Sequence, residues 1–448
     1  MRKTRRGLAL MLGMALVIAA CGEGDDPLDD APDENGTEDT EPDEGDNGDA
    51  SDGDTVNLVM ESWRNDDLAV WEDDILPVFH EQHPDINVTF QPSAPDEYNA
   101  ALESRLGGGS AGDLITCRPY DVSVDLYEDG HYESLNDLDG IENFDEVATS
   151  AWIDDSGEDI FCVPMASAMH GFFYNVDIFD ELGLEAPETE AEFYDVLDEI
   201  AEDGTYDPLA MGTSDQWEAA TMGLQNVGPT YWEGEEGRQR MIDGEEGWDD
   251  EPYVNAFQAL ADWAEYLPAG YESITYSDAQ NLFTLGQGAV YPTGSWEIAL
   301  FEEQADFEIG AFPPPLPEGH DTLWVSDTPD IGLGINPATD HPDEAWTFME
   351  WVASEEFAEL YANALPGFLP MIDVEVENEL AQEFLSWREL GDTTIRNSYQ
   401  LLSRGEPNLE NDLWDASAQV INGTETPEEA GARVQQGLES WYEPGMFD

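Results

Sequence analysis

Gly108-Gly109-Ser110-Ala111-Gly112 matches the G-x-S-x-G pattern that presents a nucleophilic serine. That chemistry needs a strand, a turn and a helix in this order. Here a helical stretch precedes the glycines and an apolar run, Asp113 to Cys117, follows them, so the segment reads as a helix-to-strand loop. His80-Glu81-Gln82-His83 spaces its two His three apart, not the four of H-E-x-x-H, and sits in a last helical turn, where His complements the helix dipole. There is no C-x2-C pair for zinc and no Walker A loop. Paired carboxylates for glycoside hydrolysis carry no information in a chain with 103 Asp and Glu, so a secreted carbohydrate-active hydrolase stays an alternative without a motif of its own. What remains are Trp, Tyr and a few Arg at the ends of apolar runs, which suit binding better than bond breaking.

The elements that must position these residues alternate. Thr55 to Glu61 (TVNLVME) reads as a buried strand, and Leu68 to Gln82 as a helix with Leu68, Trp71, Ile75, Val78 and Phe79 on one face. Ile86 to Gln91 is a second strand, Tyr98 to Leu106 a helix, and Asp113 to Cys117 a third strand. This β-α-β-α-β start predicts a doubly wound α/β lobe whose ligands sit beyond the carboxyl ends of its strands. Further on, Ala191 to Ala201 is an amphipathic helix, Phe307 to Pro317 and Ile331 to Asn336 are strands, and His341 to Ala353 is a helix opened by Pro342-Asp343-Glu344.

Charge sets the surroundings. The chain has 448 residues and 13 Lys plus Arg, of which Arg2, Lys3, Arg5 and Arg6 fall in the first six positions. From Cys21 onward there is no Lys, and nine Arg set against 103 acids leave a formal charge of −94. Binding to nucleic acid through a basic surface, or docking on anionic headgroups, is excluded by this balance. Disorder of the whole chain is excluded too, because 41% hydrophobic residues and 14 Trp are enough for a large core. Self-repulsion on this scale is tolerable where salt shortens the Debye length, so the composition points to a halophilic, acidic surface.

Residues 1–20 read as a signal peptide: a basic start, then the 14-residue apolar run Gly7 to Ala20, too short to span a bilayer. Val17-Ile18-Ala19-Ala20-Cys21-Gly22 looks like a lipobox, with Cys21 as the lipid attachment; Arg5-Arg6 leaves Sec and twin-arginine export both open. Gly22 to Asp54 holds 16 acids, no base and no aromatic residue, so residues 21–54 are expected to form a lipid-anchored, acidic, unfolded tether. This places the body, extracellular or periplasmic, on the outer face of the cell membrane. In an oxidising compartment Cys117 and Cys162 either close a 46-residue loop, worth roughly 4 kcal/mol, or stay as two buried thiols.

Three blocks then carry a resemblance. They are Gly157-Glu158-Asp159-Ile160-Phe161-Cys162-Val163-Pro164 with Phe173-Tyr174-Asn175 and Leu182-Gly183-Leu184-Glu185-Ala186-Pro187; Phe283 with Gly288-Ala289-Val290 and Gly294-Ser295-Trp296; and Ala345 with Phe348 after a strand. In this order they resemble the family 1 extracellular solute-binding proteins, the maltose-binding-protein-like sugar-binding lipoproteins of ABC importers. Phe161 in place of Tyr and Val290 in place of Met are conservative departures, and the likeness covers about residues 55–445. It implies a two-lobed α/β periplasmic-binding-protein-like fold with hinge strands and a ligand cleft between the lobes. The expected division is lobe 1 at 55–166, lobe 2 at 167–329, a return to lobe 1 at 330–365, and C-terminal helices at 366–448, mainly in lobe 2. It further implies a monomeric carrier, with no catalytic residue, metal or cofactor, that takes a sugar, a di- or oligosaccharide, and delivers it to the transmembrane permease subunits of the importer.

Sugars offer flat apolar faces and rings of hydroxyls, so the cleft calls for aromatic platforms beside Asp, Asn, Arg and Glu. Trp63 and Arg64 close the first strand, and Arg118, Tyr120 and Asp121 follow the third. His170 lies after the first crossing, Gln216, Trp217 and Trp232 lie in Gly-flanked loops, and Trp296 matches the family's stacking aromatic. Trp324 and Asp330 lie at the expected hinge, and Gly367 and Phe368 at the last crossing; Arg404 and Asn408 are expected in loops, with Trp414 opening a late helix. Each Trp could also pack a core, His170 could be structural, and Arg118 and Arg404 could pair with any of many acids. Only convergence of Arg64, Arg118 and Arg404 would favour an anionic solute in so negative a field.

Overall fold

The apolar runs become β1 (Val56–Ser62), β2 (Ile86–Pro92) and β3 (Leu114–Cys117). β2 and β3 both pair in parallel with β1, from Val56 opposite Ile86 on one edge and from Met60 opposite Leu114 on the other. Parallel neighbours need crossovers, supplied by helical chain over 68–82 and by the helix Pro95–Gly108. Gly109, at φ 64, ends the second of these in the left-handed conformation that favours glycine. This computed structural model describes residues 55–399 and 401–446; the expected signal peptide, Cys21 and the tether lie outside the described residues.

The first crossover departs from the expected stripe. It widens into a π turn over Trp71–Ile75. Pro77 lacks the N–H that would bond to Asp73 within that turn, and its ring crowds the same carbonyl. The extra residue rotates the apolar face, so Trp71, Ile75, Leu76 and Phe79 are buried while Leu68 is exposed.

Six further strands follow: β4 (Val163–Asn175), β5 (Asp207–Leu209), β6 (Gly288–Gly294), β7 (Ile309–Phe312), β8 (Trp324–Ile335) and β9 (Asp392–Thr394). The sheet order is β2-β1-β3-β8-β4-β6-β5, with β7 also on β4 and β9 on β8. β7 is shorter than the sequence suggests, because Pro313, Pro314 and Pro315 cannot donate to a ladder. β8 is longer, starting seven residues before Ile331, at Trp324.

β4 and β8 run antiparallel and link two separate cores. Val163, Met165 and Ala166 of β4, with Ile331, Leu333 and Ile335 of β8, pack with Trp71, Phe79, Trp152 and Phe348 in lobe 1. Met169, Phe172 and Phe173 of β4, with Val325 of β8, pack with Trp248, Phe257 and Phe384 in lobe 2. The pairing of the two strands slips between Pro164 and Ser167, where the chain leaves one core for the other. A further link follows at Phe368-Leu369: Phe368 packs in lobe 1 and Leu369 in lobe 2, and Leu369 exchanges two 2.9 Å backbone hydrogen bonds with Ser167. Cys117 and Cys162 form a disulfide, Cα–Cα 6.7 Å, joining the end of β3 to the start of β4.

Candidate functional site

Trp296 lies in the short turn that ends β6, and it is the only partly buried apolar side chain among the described residues that packs against both cores. Its ring meets the His170 ring edge-on at 5.2 Å. Gly367 lets the last link approach closely: a Cβ there would stand 2.3 Å from the Ser295 carbonyl oxygen and 2.8 Å from the Trp296 Cα. His170 is fully buried; burial, then the nearby Arg396 charge, lowers its pKa to about 3, so it is neutral. Neither of its nitrogens makes a well-formed hydrogen bond, although the Ser326 and Thr221 backbones approach them.

Beside Trp296 the lobe 2 wall is aromatic and acidic. Tyr276 packs edge-on against Trp217 at 4.8 Å, and its hydroxyl donates to Glu297. Gln280 Nε2 donates to the other Glu297 oxygen at 3.0 Å. Burial pushes the Glu297 carboxyl up to about 7, against the pull of Tyr276, Gln280 and Arg64. Glu218, next to Trp217, is fully buried with no hydrogen bond to either oxygen; burial, then the charges of Asp215 and Glu297, pushes it up to about 9.

Lobe 1 contributes the end of β1. Arg64 forms a two-pronged bond with Asp67, Nε to Oδ2 at 2.8 Å and Nη2 to Oδ1 at 2.9 Å, and its guanidinium lies 4.9 Å from the Phe368 ring. Arg64 and the Tyr276 hydroxyl act on each other, and the Arg64 charge opposes the rise of the Glu297 carboxyl. Trp63 is buried, tilted against Tyr98 at 5.5 Å, and the Arg118 guanidinium covers its ring at 4.0 Å. Beyond Arg118 come Asp330, Arg396, Tyr399 and Glu410: Arg396 donates to the Tyr399 hydroxyl at 2.7 Å and pairs with Glu410 at 3.4 Å and Asp330 at 3.9 Å.

Eight of the nine Arg have a carboxylate within 4.0 Å among the described residues, and Arg118 is the exception. Burial lowers its pKa, with Asp330 the leading opposing influence. Its firmest bond is from Nη2 to the Pro95 carbonyl at 3.2 Å. Two of the three cations flagged in the sequence are held by carboxylates. Arg64 is held by Asp67, and Arg404 by Asp121 at 2.9 Å and Asp155 at 2.6 Å. The cleft therefore presents alternating donors and acceptors beside aromatic faces, which fits hydroxyl groups better than an anion.

Other flagged residues are placed differently from the sequence reading. Trp232 is not in a loop over the cleft: it caps the helix Gln225–Tyr231, is buried in the lobe 2 core and stacks on Tyr253 at 5.6 Å. Trp324 opens β8 within lobe 2, against Gly234, whose added Cβ would lie 2.1 Å from its ring. Gln216 is exposed at φ 59, and Trp217 already belongs to a helical turn. Asn408 is a helix cap, its Oδ1 accepting from the Asn411 N–H, so the late helix is Leu409–Ile421 and Trp414 lies inside it. Trp414 lines an indentation of about 320 Å³, open mouth included, with Thr221, Gln225, Arg396 and Glu410. Tyr120 is buried and Asp121 is occupied by Arg404 and backbone N–H groups.

Tyr276, Glu297, Arg396, Tyr399 and Glu410 escaped the sequence reading. For Arg396 a signal existed, since the scarcity of Arg that singled out Arg118 applies to it equally. Glu297 adjoins the Gly294-Ser295-Trp296 block; Tyr276, Tyr399 and Glu410 carry no local signal. No group of three or more His, Cys, Asp or Glu among the described residues is arranged to hold a metal ion.

Comparison with known proteins agrees with this geometry. An uncharacterised ABC transporter extracellular-binding protein of Pyrococcus horikoshii is 25% identical over 303 residues, 66% of this chain and 68% of that one. The multiple sugar-binding protein of Streptococcus mutans is 23% identical over 299 residues, 64% and 69% of the two chains. Among solved structures, the solute-binding protein RafE in complex with raffinose shares the fold with TM-score 0.72 at 21% identity, covering 86% of this chain and 99% of that one. The model of the bacterial extracellular solute-binding proteins matches residues 63–359, more than half of the chain, and the chain belongs to that family.

Proposed function

We propose that the cleft binds a neutral sugar, a di- or oligosaccharide, and that the protein is the sugar receptor of an ABC importer, held outside the cytoplasm through Cys21 and handing its solute to the permease as a monomer. The observation that carries this reading is Trp296, an aromatic face packed against both cores and flanked by Tyr276, Glu297 and Arg64 from opposite lobes. A pyranose ring offers one apolar face to such a Trp and rim hydroxyls to such polar groups. The names of the Streptococcus mutans relative and of the raffinose complex support a sugar, and the paired state of Arg64 and Arg404 supports a neutral one. A solute bridging both lobes would favour the closed arrangement by its differential affinity for it.

The test is calorimetric titration of the mature protein, in molar salt, with neutral mono-, di- and oligosaccharides and with their acidic counterparts. The reading expects saturable binding of at least one neutral sugar without product formation. Binding confined to acidic sugars, or cleavage of the titrant, would overturn it.

A further inference from the structure

We propose that an arm of lobe 2 latches onto lobe 1 through Asp121 and holds the cleft closed before any solute arrives. The chain path gives the arm. β9 pairs with the lobe 2 end of β8, Trp324–Ser326, and Leu402 lies in the lobe 2 core, yet Tyr399 between them is buried in the lobe 1 core. There the Tyr399 ring packs on Tyr120 at 5.2 Å. Lobe 2 therefore sends out a short excursion that plugs an aromatic side chain into the other lobe.

The return of that excursion is pinned to one carboxylate. Asp121, at the start of the lobe 1 helix Asp121–Glu128, accepts from the Leu401 N–H at 2.9 Å, the Ser403 N–H at 3.4 Å and Arg404 Nε at 2.9 Å. Arg404 Nη1 reaches a second lobe 1 acid, Asp155, at 2.6 Å. Backbone strain marks the same spot from both sides. Tyr120, directly before Asp121, has φ 57, and Leu401 has φ 77; both are side-chain-bearing residues in the left-handed region, which persists only where the surroundings over-determine it. Asp121 and Arg404, each expected to contact solute, thus spend their hydrogen bonds on one another. Opening the cleft has to break these charge-assisted bonds and withdraw Tyr399, so the latch slows both entry and exit of solute whatever that solute is.

The test compares Asp121→Asn and Arg404→Gln, singly and together, in the full mature chain. Small-angle scattering without solute reads the shape, and stopped-flow Trp fluorescence with a bound sugar reads the rates. The latch predicts a larger radius of gyration for each solute-free variant, a double variant no more expanded than the stronger single one, and entry and exit rates each raised about tenfold. Solute-free variants as compact as wild type would overturn it. So would weaker sugar binding by Asp121→Asn alone with Arg404→Gln silent, which would make Asp121 a sugar ligand. Because the scattering measurement needs no solute, failure of the latch is distinguishable from failure of the sugar reading.

Discussion

The Glu218 carboxyl is buried with no hydrogen bond to either oxygen, beside an aromatic wall that also holds Glu297, and replacing it with Gln should make the protein less sensitive to alkali. Its carboxyl is raised from 4.5 in an ordinary setting to about 9 in the fold. Between those values the folded chain keeps a proton that the unfolded chain has lost. Stability is then fullest below about pH 4.5 and falls as pH rises toward 9, by about 1.4 kcal/mol for each pH unit. From pH 6 to pH 8 this one group accounts for about 3 kcal/mol. Glu297, raised to about 7, adds a loss of the same sign that is complete above that pH. Guanidinium chloride unfolding at pH 6, 7 and 8, at constant high salt, measures the slope. Glu218→Gln should remove about 3 kcal/mol of the difference between pH 6 and 8, leaving the Glu297 loss and a smaller opposite gain from His170, which is neutral in the fold. The same dependence in wild type and variant would show that Glu218 is ionised or hydrogen-bonded in the fold, and the reasoning would fail.

Other expectations follow from the hinge and the lobe 1 sheet. Opening the Cys117–Cys162 disulfide by Cys→Ala at both positions should cost about 4 kcal/mol, since the bridge closes a loop with 45 residues of separation, and denaturant unfolding with and without reductant would read it. Gly367→Ala drives a Cβ to 2.3 Å from the Ser295 carbonyl oxygen; displacing Trp296 should weaken solute binding at least tenfold in calorimetry, and unchanged affinity would mean that Trp296 has no role in the cleft.

Lobe 1 was legible because its strands are continuous apolar runs and its crossovers have helical period; β1, β2 and β3 fall within a residue or two of where the pattern puts them. The π turn at Trp71–Ile75 was not, because a single helical period cannot anticipate the widening before Pro77. The first half of β8 was hidden for another reason. Trp324 to Asp330 mixes polar residues with Pro329, and its partners are strands distant in sequence: β9 alongside Trp324–Ser326 and β4 alongside Asp327, Thr328 and Pro329. In the candidate site the ambiguity was chemical. Trp is equally suited to a core and to a sugar face; the Gly294-Ser295-Trp296 block singled out Trp296, which packs against both cores, but nothing local marked Trp232 as the lobe 2 core residue that it is. Arg404 illustrates the limit of arguing from scarcity. A rare cation in a chain this acidic does specific work, but here the work is holding Asp121 and Asp155.

The most direct measurement is calorimetric titration of wild type and Trp296→Ala with the tightest-binding neutral sugar. A sugar ring covering about 60 Å² of the indole gives ~1.5 kcal/mol from apolar burial, and stacking brings the total to about 2 kcal/mol. The account predicts an affinity about 30-fold weaker in Trp296→Ala with the fold intact. Equal affinities in the two proteins would contradict it and move the site away from the cleft.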